Sequence, residues 1–267
     1  MDKQALVLRI EQMPSFILRD VAINGEYSAD ATVSIVPSFE MNNDWKAVTE
    51  TDLKRPLAFV SKKYKLIQFK DVFLPIIANV TALDGNLIYY EGFSYMTFFP
   101  DDINLTTPNG KIGIVAVNSV NKMSSVIMKF CLLHNGKLIS VPEKLAGFKR
   151  VHAGKVMDYA QNFIMVVDKI KDIWATVITH FSTTMMTKDF AISVLDVCEI
   201  QQDFLREKSL EYVDTHAGMN LWDFFLFLMD LIEGKTSYTS DIHKRKKLDS
   251  ITEKIFQYAI TTKLIHA

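Results

Sequence analysis

Hydrophobic and polar residues alternate with one period in the first half of this chain and another in the second, and the change falls between Phe130 and Lys155. Before it, apolar positions recur every second residue, as on a strand with one buried face; after it they recur every three to four, as on an amphipathic helix. Residues 5–10, 15–23 and 31–36 read as short Val-, Ile- and Leu-rich strands punctuated by Pro14, Asn24-Gly25 and Pro37. Residues 38–56 read as a loop or short helix around Trp45, and residues 57–61 and 65–69 as a hairpin-like pair across Lys62-Lys63-Tyr64. A helix is expected over 71–80, with Pro75 in its first turn. Asp84-Gly85-Asn86 reads as a turn leading into one central strand over 87–100, apolar on both faces, with Gly92 marking a bend or bulge. After the turn Pro108-Asn109-Gly110 come strands at 111–118, 124–133 and 137–141. Asn135-Gly136, a strong hairpin dipeptide, joins the last two, which makes a meander.

Beyond Gly154, Val156, Tyr159, Ala160, Phe163, Val167, Ile170, Trp174, Val177, Ile178 and Phe181 share one stripe of a helix of about 25 residues. A second helix starts at Thr187, which can cap it, carries Asp189 in its first turn and fades near Glu211. Its inward face is Phe190, Val194, Val197, Ile200, Phe204 and Leu205. A third, apolar nearly all round, covers 220–233 and stops at Gly234; Ser240 caps a fourth running to about 264. The expected fold class is α+β, an antiparallel, meander-containing sheet from the N-terminal half packed against a C-terminal helical layer. The expected organisation is a mostly β region at 1–147 and a helical region at 148–267 packed on it as one intimate unit.

Composition adds mainly exclusions. With 267 residues, 49% hydrophobic and 23% charged, the chain can fill a sizeable core. A net charge of −1 supplies no global field toward nucleic acid or membrane, so any such attraction must be local. Cys131 and Cys198 lack CxxC spacing and read as buried free thiols of a reducing compartment. The first 13 residues interleave charge with apolar positions, unlike a signal segment. The most apolar window, 221–232, is too short to span a bilayer and holds Asp223 and Asp230. The expectation is a cytoplasmic protein with no membrane partner.

Catalytic signatures are missing: no Walker loop, GxGxxG, HExxH, GxSxG or kinase loop occurs, and the six histidines lack metal-ligand spacing. Asp101-Asp102 reads as a solvated turn, and His134 and His152 near Cys131 as structural or partner-contact side chains instead of a thiol–imidazole pair. No catalytic residue, metal or cofactor is assigned, and the chain reads as a non-enzyme. Cationic runs are the positive signal. Lys54, Arg55, Lys62, Lys63, Lys65 and Lys70 occur without an acid between them, interleaved with Phe59, Tyr64 and Phe69. Lys144, Lys149, Arg150, His152 and Lys155 form a second acid-free run, and His243–Lys247 reads HKRKK. Proteins that hold single strands combine a basic track for phosphates with aromatics on which bases stack. Solvated strand edges carry the same residues, because lysine discourages edge-to-edge pairing.

The order of several short motifs is suggestive: RPLAFVSKKYKLIQFKDVF at 55–73, a strand ending in Cys131 with Asn135 after it, FKRVH at 148–152, and NLWDFF at 220–225 before a basic helix. It resembles a family of phage- and plasmid-encoded proteins of unknown function, the group that includes YubP, YafZ and YfjQ. Around Cys131 the chain departs from the family pattern, with Lys129-Phe130 before it and Asn135 four residues on. The resemblance implies a mobile-element setting among DNA-metabolism or anti-restriction genes, and no particular reaction. The leading expectation is therefore a nucleic-acid-binding protein, single-stranded DNA in recombination or annealing being its partner. Lys62, Lys63, Lys65, Lys149, Arg150 and Lys155 would contact phosphate, Tyr64 would stack, and His152 would lie beside them, in a homo-oligomeric ring or filament. The competing expectation is a protein that docks on a host defence or replication complex through exposed aromatics such as Trp45, Phe98 or Phe99. A third is an enzyme using Cys131 or His152.

Overall fold

The computed structural model describes residues 1–24, 32–34, 45–52, 56–78, 80–102, 105–107, 110–121, 125–141, 147–150, 167–234 and 241–265. Antiparallel sheets in the N-terminal half and helices in the C-terminal half make the protein α+β. Two compact units divide the chain: unit 1 comprises 1–103, 113–128 and 148–163, and unit 2 comprises 104–112, 129–147 and 164–267.

Unit 1 begins with helix α1 (Lys3–Glu11), so residues 5–10 are not the strand expected from their composition. Asp2 caps the helix by accepting the Ala5 amide at 2.8 Å, and Leu6 and Ile10, one turn apart, are fully buried. An i,i+4 pair inside a continuous apolar run is helix spacing, which the density of Val and Leu obscured. Strand β1 (Phe16–Asp20) follows, then the pair β2 (Ala22–Asn24) and β3 (Thr32–Ser34). Residues near Trp45, expected as loop or short helix, form β4 (Trp45–Glu50), which lies between β1 and β5 (Pro56–Ser61) in a three-stranded antiparallel sheet. Ala47, Val48 and Thr49 are all buried, so this middle strand shows no alternation to read.

Residues 65–69, expected to pair back on 57–61, form no strand, since β5 takes β4 as its partner. Side-chain amides satisfy backbone groups here instead of a ladder. Gln68 Nε2 donates to the Phe16 carbonyl at 2.7 Å, its Oε1 accepts the Phe16 amide at 3.0 Å, and Asn118 Nδ2 donates to the Ile67 carbonyl at 3.1 Å. Helix α2 (Phe69–Ala78) then starts two residues earlier than expected, which puts Pro75 in its interior; no amide is left there to bond the Asp71 carbonyl. Phe69 meets Phe16 and Tyr89 edge-on at 5.4 and 5.7 Å and stacks on Phe73 at 6.2 Å.

Two turn assignments change as well. Asp84-Gly85-Asn86 lies inside β6 (Leu83–Tyr90), with Gly85 opposite Phe98. Glycine stands there because a Cβ would come 2.8 Å from the Leu6 side chain of α1. The single strand expected over 87–100 is a hairpin, β6 returning as β7 (Phe93–Pro100) through Glu91-Gly92, whose φ angles of 44° and 77° suit a tight two-residue turn. Strand β7 is buried along its whole length, as expected of a central strand. Its other neighbour is β9 (Gly110–Ser119), which follows the short β8 (Thr106–Thr107), with Phe93 opposite Ser119 and Phe98 opposite Ile114.

Unit 2 takes up β10 (Val126–His134) from Lys129 on, and β11 (Lys137–Ser140). The expected hairpin joins them, with Asn135 and Gly136 at φ 47° and 79° and Cys131 opposite Ser140. Strand order β11-β10-β9-β7-β6 includes the expected meander. Residues 147–150, read as leading into a helix, form strand β12 (Gly147–Arg150) on β10; residues 151–166, including the start of the long helical stripe, lie outside the described residues.

Helix α3 (Val167–Thr183) buries Val177, Ile178 and Phe181. Helix α4 (Lys188–Val197) is capped by Thr187 as expected, the hydroxyl accepting the Phe190 amide at 3.2 Å. The single helix expected over 187–211 is two, because the chain turns at Cys198-Glu199 before α5 (Asp203–Thr215). The Ile200 amide bonds the Leu195 carbonyl at 3.0 Å and the Glu199 amide the Asp196 carbonyl at 2.9 Å, with Glu199 at φ 53°. That is a Schellman closure built without its usual glycine. It leaves Val197 and Phe204, expected inward, 37% and 55% exposed. Helix α6 (Leu221–Glu233) is as expected: the Asn220 side chain accepts the Asp223 amide at 2.9 Å, Gly234 follows, and Trp222, Phe224, Phe225, Leu228 and Ile232 are buried. Helix α7 (Asp241–Ile265) ends the fold. No helix among the described residues is long and apolar enough to cross a membrane.

Candidate functional site

The turn that leaves β5 carries the first group of expected ligand contacts. Lys62, Lys63 and Lys65 are all exposed, and among the described residues neither Lys63 nor Lys65 meets a carboxylate. Tyr64 is not displayed with them. It is half-buried against the apolar cluster of unit 1 that includes Phe69 and Val60, and burial pushes its hydroxyl well above the ordinary phenol range. Its ring anchors the turn. Lys149 and Arg150 lie on β12, assigned with the turn to unit 1 for residues 148–150, whereas His152 and Lys155 lie outside the described residues.

Cys131 is fully buried, and the His134 ring turns edge-on to Trp222 at 5.2 Å. Burial pushes the Cys198 thiol up to about 12, against the lowering influence of Lys254 and Lys247, so it is protonated and inert at neutral pH. Of the aromatics expected as exposed anchors, Phe98 and Phe99 are buried on β7, at 0% and 8% exposure, while Trp45 is 44% exposed. Among the described residues no group of His, Cys, Asp or Glu side chains could hold a metal ion.

Two constellations in unit 2 escaped the sequence reading. The first is a buried charge cluster. Lys129 Nζ on β10 lies 3.0 Å from Asp249 and 2.8 Å from Glu253 on α7. Arg245 lies 3.2 Å from Asp249 and donates to the Leu138 carbonyl at 2.6 Å, and the Ser140 hydroxyl donates to Asp249 at 2.7 Å. Burial alone would raise the Asp249 carboxyl, but Lys129 and Arg245 beside it, with the Ser140 hydrogen bond, hold it below the usual carboxylate range. Both cations meet a carboxylate and Arg245 also meets the Leu138 carbonyl, so the cluster is a tether of α7 to β10 and β11. Its trace in the sequence is Arg245, Asp249 and Glu253 at i, i+4 and i+8 on one helix face.

The second is a cleft of about 500 Å³ between the end of α5 and the exposed face of α6, lined by Tyr212, His216, Met219, Asp223, Phe227 and Asp230 among others. Three rings gather in it: Tyr212 is stacked on Phe227 at 3.7 Å, and His216 lies 4.0 Å from Tyr212, tilted from it by 33°. His216 Nδ1 is within 2.9 Å of the Tyr212 carbonyl, at the end of α5. Asp223, Phe227 and Asp230 recur at helix spacing along α6, and Asp230 pairs with Lys137. The signal was legible as Tyr212-x-x-x-His216 beside Asp223-x-x-x-Phe227-x-x-Asp230. No family model, curated protein or solved structure matches the chain.

Proposed function

We propose that the chain is a non-enzymatic nucleic-acid-binding protein of a phage or plasmid, acting on single-stranded DNA in recombination or annealing. What carries the reading is the turn after β5: Lys62, Lys63 and Lys65 all face solvent, and Tyr64 fixes the turn to the core beneath them. Lysines held by a packed anchor meet phosphates with less ordering cost than lysines on a free tail. Lys149 and Arg150 on β12 would extend the contact, and His152 and Lys155 belong to the same proposal. Tyr64 supports the lysines in this reading and does not stack on bases. The host cytoplasm and a homo-oligomeric assembly complete it.

A labelled single-stranded oligonucleotide titrated at several salt concentrations tests the proposal. Affinity should fall with salt at a log–log slope of about −0.7 per phosphate contacted. The triple variant Lys62→Glu, Lys63→Glu, Lys65→Glu should bind at least about tenfold more weakly with a shallower slope. Salt-independent binding, or a triple variant that binds like the parent, would remove the idea. The second reading, a protein that docks on a host defence or replication complex, draws support from a different surface, the acidic, aromatic cleft of α5 and α6.

A further inference from the structure

Residues 188–233, which form α4, α5 and α6, hold ten carboxylates and three basic residues in a chain whose net charge is −1. All three basic residues are already engaged: Lys188 with Asp214 at 2.6 Å, Arg206 with Asp196 at 2.7 Å, and Lys208 with Glu211 at 2.6 Å. Asp223, exposed at the rim of the cleft, has no ion pair among the described residues. Such a surface repels phosphate and attracts cations. The rings narrow the choice of cation. Negative ring faces attract a cation laid over them, and a planar guanidinium stacks on flat rings where a tetrahedral ammonium does not. The fork of the same guanidinium matches a carboxylate at the edge of the rings.

We propose that this cleft is a docking site for an arginine side chain of a partner protein segment, the guanidinium stacking on the Phe227–Tyr212–His216 rings and pairing with Asp223. The Asp230–Lys137 pair borders the cleft, and Met219 and the stems of its neighbours supply apolar walls for the arginine methylenes. The site belongs to unit 2, shares no residue with the lysine turn of unit 1, and does not depend on the nucleic-acid reading.

The test uses the full chain and three blocked pentapeptides, Gly-Arg-Gly-Arg-Gly and its citrulline and lysine counterparts, followed by NMR titration. The arginine peptide should bind saturably and shift the Tyr212, His216 and Phe227 resonances. Binding should weaken about threefold or more in Asp223→Asn and in Phe227→Leu, as loss of one exposed cation–ring or charge-assisted contact implies. The Asp223 side chain caps nothing and pairs with nothing described, so Asp223→Asn keeps the fold and gives a clean reading even if Phe227→Leu loosens α5 against α6. A citrulline or lysine peptide that binds as well as the arginine peptide overturns the assignment, and so does unchanged binding by Asp223→Asn. Single-stranded DNA affinity of Asp223→Asn should equal that of the parent, so failure here and failure of the nucleic-acid proposal are read separately.

Discussion

Lys63 and Lys129 are the same side chain in opposite settings. Lys63 stands on a turn of unit 1, exposed, with no carboxylate within ion-pairing distance among the described residues. Lys129 is 7% exposed in unit 2, held between Asp249 and Glu253 of a helix more than a hundred residues away in sequence. Its local surroundings, Met-Lys-Phe-Cys on a strand, are more apolar than those of Lys63, yet nothing in them names its partners. What separates a surface cation from an interior one is a carboxylate supplied by another element. Counting basic residues along the chain therefore locates candidates, and only the fold shows which are free to meet a ligand. The interiors differ in the same sense. The cluster around Phe69 in unit 1 is made of apolar side chains, whereas unit 2 sets Lys129 of β10 against Asp249 and Glu253 of α7, with Arg245 of the same helix beside Asp249.

The contrast is broken most strongly by removing one member of the charge cluster. Lys129→Met should cost about 3–5 kcal/mol, because Asp249 is left buried without its main partner. Replacing Asp249 by Leu in the same protein should recover part of that loss, since no buried carboxylate is then left without Lys129, Arg245 keeps the Leu138 carbonyl and Glu253 is partly open to solvent; urea unfolding measures both. Phe69→Ala in unit 1 should cost a comparable ~3–5 kcal/mol by leaving a cavity, with little dependence on pH.

Acid separates the two kinds of interior. The Asp249 carboxyl is held below its ordinary value, so the stability it contributes is fully present above about pH 4 and is lost as pH falls through the depressed value. The penalty of Lys129→Met should accordingly shrink in that window while that of Phe69→Ala persists. Unfolding followed from pH 7 down to pH 2 checks this, and equal shrinkage in both variants would contradict it. The smallest effect is expected at the break between α4 and α5. Glu199→Gly relieves a left-handed residue at φ 53° and gives up an exposed pair with Lys254, so Tm should rise by about 2–4 °C.

How much of this was legible follows from where each signal lives. Asn135-Gly136, Thr187, Asn220 and Gly234 act on backbone groups within a few residues, and the hairpin turn and helix ends they mark were read correctly. The break at Glu199 was invisible because a Schellman closure normally advertises itself with glycine, and here glutamate takes that place. Gly85 misled in the opposite direction: its role is to let Leu6 approach, a tertiary demand that looks like a turn when flanked by Asp84 and Asn86. Residues 65–69 have strand composition, but Gln68 and Asn118 satisfy their surroundings without a ladder and Phe69 already opens α2. The lysines of the turn were found from sequence; the burial of Tyr64 between them was not, since alternation along five residues cannot say which side faces a core assembled from α2 and β6. The cleft of α5 and α6 needs two helices to exist, so no single run of residues declared it.

The measurement that bears most directly on the proposed function is the salt dependence of single-stranded DNA binding for three proteins: the parent, the Lys62/Lys63/Lys65→Glu variant, and Asp223→Asn. The account predicts steep salt dependence for the parent, a slope shallower by about 2 for the lysine variant, and no change for Asp223→Asn. Identical curves for the parent and the lysine variant, or binding that salt leaves untouched, would contradict it.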